Sequence, residues 1–288
     1  MELAEFNDTK PNNKSPYIVI REETTQVPVI QSDSSSSVLS PHEAYRLYKR
    51  RWLGLAGICL LNVVSGLNWL WFSSIAINTS QEFGISLDTV NWLGNSVSLV
   101  YLPVSLIVPM GFSRWGLRIS CVIGSLGLLV AAWVRYAGTT QSLSPASKYT
   151  LLLIGQVFTG FAQPWFQILG PKYSETWFDL RGRTVATMII AISNPIGGAL
   201  SQLLAPVFST VTESVLYLAI ITSAVAPIVI LIASKPPIPP TYSASLPSPP
   251  AAQLLRALIG KARSDELFMS FSERMDMAII TLLFARFS

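Results

Sequence analysis

The amino-acid sequence predicts an all-α polytopic membrane protein, and three observations carry that prediction. Half of the 288 residues are hydrophobic and only 12% are charged, against roughly a quarter charged in an average soluble domain. The mean hydropathy is +0.46. The 16 acidic residues avoid six apolar stretches altogether: 52–78, 89–110, 119–134, 149–170, 185–207 and 214–233. About 20 apolar residues at ~1.5 Å rise cross the ~30 Å hydrocarbon layer, so these stretches are the six predicted spans.

Residues 1–44 are polar, with the tract Gln31-Ser32-Asp33-Ser34-Ser35-Ser36-Ser37 and no apolar period. Such composition buries too little surface to offset the entropy of ordering, which predicts a disordered tail. Span 1 (52–78) carries Asn62, Ser65, Asn68 and Trp69. At 100° per residue these share one broad face, and a polar stripe faces other helices or an aqueous cavity more cheaply than lipid. Span 2 (89–110) contains Pro103 and Trp92, and span 3 (119–134) is the shortest. Trp71 and Trp92 suit lipid-facing or interfacial positions. Span 4 (149–170) repeats the polar stripe with Gln156, Gln163 and Gln167, at intervals of 7 and 4. Gln156 and Asn62 fit interhelical hydrogen bonding as well as ligand contact.

Span 5 (185–207) holds Ser193, Asn194, Pro195, Gly197 and Gly198, and Ser193, Gly197 and Ser201 form a ladder of small residues for close helix packing. Span 6 (214–233) contains Pro227. Residues 235–277 open with Lys235-Pro236-Pro237-Ile238-Pro239-Pro240, a density of proline that forms extended chain rather than a span. Within them, 251–277 read as a short amphipathic helix followed by a polar stretch. Residues 278–288 are mostly apolar and reach half a bilayer, which reads as the start of a seventh span left incomplete.

Charge sets the predicted orientation. Within residues 46–274, fourteen Lys and Arg fall just before span 1, in loops 2–3 and 4–5 and after span 6, against two, Arg135 and Lys148, in the opposite loops. By the positive-inside rule the N-terminus and the proline-rich segment are cytoplasmic. That placement accounts for the +4 charge and pI near 9.1 without a nucleic-acid partner. Cys59 and Cys121 both fall in spans, so no disulfide is expected. The single histidine, His42, lies in the polar tail. Histidine-based catalysis, a zinc site and paired intramembrane carboxylates are therefore excluded as readings. No enzyme, metal or cofactor is expected.

Six spans followed by a long linker resemble the N-terminal half of a major facilitator superfamily fold. Ser113-Arg114-Trp115-Gly116-Leu117-Arg118 is similar to that superfamily's loop 2–3 motif, Asp-Arg-x-Gly-Arg-Lys. Arg114, Gly116 and Arg118 match it, whereas Ser113 replaces the Asp. By this resemblance they form the conformational gating loop. Asn91-Trp92-Leu93, Tyr101-Leu102-Pro103, Gly116-Leu117-Arg118, Gly155-Gln156, Ala162-Gln163, Pro171, Trp177-Phe178, Asn194 and Gly197 form an ordered set across residues 46–234. That set resembles the feline leukaemia virus subgroup C receptor-related family of haem, choline and ethanolamine transporters.

The resemblance implies roles. Trp69 matches the span 1 tryptophan that walls an aromatic ammonium cage, and Gln163 a cavity-lining glutamine. Ser65 stands where the family has Asn, and Asn68 adds a polar contact. The expectation is facilitated transport of a small organic solute, best fitted by a choline- or ethanolamine-like cation, in a multi-pass protein placed by default in the plasma membrane. Haem or a vitamin is the alternative cargo. A non-transporting subunit or receptor, or a non-functional truncated fragment, is the alternative outside transport. Because the linker and the start of span 7 are both present, an incomplete sequence is expected rather than a half-bundle that pairs with a second copy.

Overall fold

A computed structural model describes residues 45–245. The predicted tail 1–44, the amphipathic segment 251–277 and the start of span 7 lie outside them. Every described element is helical, and no strand occurs among the described residues.

Helix α1 (Arg50–Ser74) covers most of predicted span 1. Its apolar sequence continues past a distorted Ile75 (φ −121°, ψ 30°) as a separate short helix, α2 (Ala76–Phe83), which Gly84 ends in the left-handed conformation. Helix α3 (Leu87–Gly138) runs 52 residues and holds predicted spans 2 and 3 together. At 1.5 Å per residue it would measure about 78 Å, more than two bilayer cores. Gly116 divides it, at φ 76° and ψ 172°, a region open essentially only to glycine. The predicted loop 2–3 is thus a one-residue break between two helical runs. Pro103 and Pro109 lie inside α3 without ending it. The Ser86 hydroxyl accepts from the Thr89 N–H at 3.2 Å and caps the helix.

Span 4 is broken where Pro164 falls within it. Helix α4 (Pro145–Ala162) starts on a Ser144 cap and stops at Gln163. Pro164 opens a four-residue helix, α5 (Pro164–Gln167), followed by α6 (Leu169–Trp177). A proline lacks the N–H needed to continue the ladder. Helix α7 (Leu180–Leu204) keeps Pro195 inside it. Helix α8 (Val211–Val225) is capped by Thr210. Pro206 and Pro227 each begin a 3₁₀ turn, Ala205–Val207 and Ala226–Leu231. A last turn, α9, spans Tyr242–Ser245.

Among the described residues, four helical runs are long and apolar enough to cross a membrane: Arg50–Ser74, Leu87–Gly138, Leu180–Val207 and Val211–Leu231. The difference from six has two causes. The second run carries two spans, and the fourth predicted span is broken at Pro164.

Packing follows the small residues. A Cβ on Gly66 would strike the Asn194 carbonyl, and one on Gly197 the Val63 carbonyl. The backbones of α1 and α7 therefore approach as closely as glycine allows. Asn194 donates to the Asn62 carbonyl at 3.2 Å across the same contact. Ser193 donates instead to the Ile189 carbonyl of its own helix. At one end of the bundle, the Tyr173 hydroxyl donates to the Arg51 carbonyl at 2.8 Å, and the Trp177 indole to the Ala233 carbonyl at 3.2 Å.

Candidate functional site

The polar stripe of α1 divides into two regions. The first is built on Asn68, which is fully buried. Its amide donates to the Val64 carbonyl at 2.7 Å and to the Thr222 hydroxyl at 3.0 Å. Its side-chain oxygen accepts from Arg135 Nη2. Arg135 Nη1 donates to the Asn68 carbonyl at 3.0 Å and to Gln156 Oε1 at 3.1 Å, while Nε donates to the Ala131 carbonyl at 3.1 Å. The guanidinium also lies 6.0 Å from the Phe72 ring centre. One point thereby joins α1, α3, α4 and α8.

Arg135 corrects the sequence reading. The sequence places it in a loop, whereas the structure holds it in α3, completely buried inside the bundle. Lys148, the other basic residue assigned to that side, is buried as well and lies 5.0 Å from the Phe83 ring centre. The signal was present: Arg135 follows span 3 within a helical period of Ala131 and Leu128, and no loop residue separates them. Trp71 is also corrected. It is fully buried rather than lipid-facing, and its indole donates to the Ser214 hydroxyl at 2.9 Å. Trp92 remains exposed.

The second region lies where α1 meets the α4–α5 break. The Asn62 amide donates to the Ile58 carbonyl at 3.1 Å and to the Phe166 carbonyl at 3.2 Å, which seats α1 against α5. On these two helices buried polar atoms are left without partners: Asn62 Oδ1 and Ser65 Oγ on α1, and Trp165 Nε1 and both amide atoms of Gln167 on α5. Buried polar groups are nearly always satisfied by protein, water or ligand. Gln163 is buried at the helix end, where its N–H still bonds the Thr159 carbonyl. Trp69, next to Asn68 and one turn from Ser65, is half-buried. Trp165 packs its ring against Phe112, Trp115 and Phe161, with centroids 6.0, 6.4 and 6.1 Å apart.

The structure thus brings Asn68 together with Arg135, Gln156 and Thr222. It seats Asn62, on the same face of α1 as Ser65, against α5 just beyond Gln163. Gln156 and Asn62, left open between interhelical bonding and ligand contact, both bond across helices. Arg114 and Arg118 are exposed on either side of the Gly116 break, and Trp115 between them is exposed too.

These features define a multi-pass integral membrane protein with polar chemistry sealed between its helices. The sequence model of the Major Facilitator Superfamily matches residues 58–288, and the chain belongs to that superfamily. Solute carrier family 49 member A3 of Xenopus tropicalis is 33% identical over 215 residues, covering 69% of this chain and 43% of that protein. The Danio rerio protein of the same name is 31% identical over 249 residues, 81% of this chain and 51% of its own. The choline/ethanolamine transporter FLVCR1 of Felis catus is 26% identical over 175 residues, 61% and 30% of the two chains. The chain spans about half the length or less of these relatives.

Proposed function

We propose that this chain forms part of a transporter that moves a small organic solute by alternating access, facilitatively, and that the solute is a choline- or ethanolamine-like cation. The observation that carries this reading is the set of unpartnered buried atoms on α1 and α5, of which Asn62 Oδ1 and Ser65 Oγ lie one to two turns from Trp69 on α1. Ser65 and the Gln167 amide each offer a donor and an acceptor, which suits a solute bearing a hydroxyl. The Trp69 indole supplies the face for an ammonium, and Gln163 at the α4–α5 break supplies a polar contact. Asn68 holds the wall in place. No Asp, Glu or His occurs within residues 52–78, 89–110, 119–134, 149–170, 185–207 or 214–233, so these spans offer no carboxylate for proton coupling. The names of the choline/ethanolamine relatives support the solute class. The charge count favours a cytoplasmic N-terminus, a cytoplasmic linker at 235–277 and, by default, the plasma membrane.

The test is uptake of radiolabelled choline by cells expressing the complete coding sequence. A desolvated cation–π contact contributes about 2 kcal/mol, so Trp69→Ala should raise KM about 30-fold at matched surface amount. Unchanged uptake would remove Trp69 from the site.

A further inference from the structure

Arg135 is a full charge inside the bundle, and among the described residues none of its hydrogen-bond acceptors is a carboxylate. A buried ion without a counter-ion is costly and is retained only where oriented dipoles take its place. Here the dipoles are two main-chain carbonyls and two side-chain amides, from three helices. The acceptors are unevenly shared. Asn68 supplies two of the four, its carbonyl and its amide oxygen, so the guanidinium grips one residue of α1 from two directions. Asn68 is gripped from the other side by its bond to Thr222 of α8. Only a planar fork of donors reaches Asn68, Gln156 and Ala131 at once; a lysine ammonium is a point charge on a single stem.

We infer that Arg135 is a positioning residue for transport: it fixes the rotation of α1 about its axis and so sets the direction in which Trp69, the next residue along, faces. Successive helical residues differ by about 100° in direction, and a turn of α1 by a fraction of that angle moves an indole out of line with its solute. The inference rests on the reading of Trp69 as the solute-facing wall. Its consequence is that Arg135 governs apparent affinity without touching the solute.

Two measurements test it, both with the complete coding sequence. The first is radiolabelled choline uptake at matched surface amount. Arg135→Lys should raise KM three- to ten-fold, and Arg135→Gln more than ten-fold, with Vmax per surface molecule kept within two-fold. A fall in Vmax at constant KM would show a role in fold alone and overturn the inference. The second does not depend on transport. A cysteine is placed by Trp69→Cys and its modification rate by a membrane-impermeant thiol reagent is read with Arg135 intact and with Arg135→Lys, against the background of Cys59 and Cys121. A rate change of at least three-fold is expected, and equal rates overturn the inference. If Trp69→Ala leaves uptake unchanged, the solute reading fails, while the cysteine rates still decide whether Arg135 sets the orientation of α1.

Discussion

Gln156 and Gln167 stand on one face of the fourth apolar stretch, eleven residues apart in the sequence, yet their amide oxygens have different surroundings. Gln156 accepts from the buried Arg135 and belongs to a junction of four helices. Gln167 lies beyond the proline break with neither amide atom engaged. The same residue type, on the same stripe, bonds a guanidinium through its oxygen in one place, with its amide nitrogen unpartnered, and leaves both amide atoms open in the other. The difference teaches that a polar stripe in a membrane helix is not one feature. Where a charge sits at its centre the stripe turns its acceptors to that charge, and where a helix breaks it is left with both donors and acceptors that a solute or water completes.

The comparison can be broken by one substitution made twice. Gln156→Leu removes an acceptor from a buried guanidinium, and hydrogen bonds to charged groups contribute about 1.5–3 kcal/mol. We expect a loss of that size, seen as a lower melting temperature of the detergent-solubilised protein. An unchanged melting temperature would mean the Arg135 junction does not hold the bundle. Between the two regions in effect stands Gly116→Ala, which leaves both untouched. A side chain at φ 76° and ψ 172° costs about 1–3 kcal/mol, and the melting temperature should fall accordingly. A neutral result would show that the break between the two runs of α3 relaxes freely. Smallest, and of opposite sign, is Gln167→Leu. It deletes two buried atoms that make no bond, so stability should hold or rise by up to about 1 kcal/mol, while choline uptake falls if Gln167 contacts the solute. A loss of stability equal to that of Gln156→Leu would erase the contrast.

How much of this was legible in the residues varies by element. The polar positions of α1 stand out because Asn62, Ser65 and Asn68 interrupt an apolar run at helical spacing. Glycines 66, 197 and 198 are visible as small residues, but which backbone meets which is a matter of pairing, and only the packed α1–α7 contact shows it. The break of the fourth span was foreshadowed by Pro164, although a proline alone does not decide between a kink and a stop. Pro103 and Pro195 leave their helices continuous, whereas Pro164 does not.

Sequence by itself determined the apolar runs, their caps and the absence of intramembrane acids, because those depend on local composition and on the bilayer as solvent. It also implied the superfamily, through motifs spread along the chain. Only the tertiary structure decided that Arg135 is buried rather than in a loop, that Trp71 points inward to Ser214, and that Asn68 serves a guanidinium. Each of these is a contact between residues 67 to 143 positions apart. Burial of a charge is settled by whether distant helices bring enough oriented dipoles to it, and no local pattern records that.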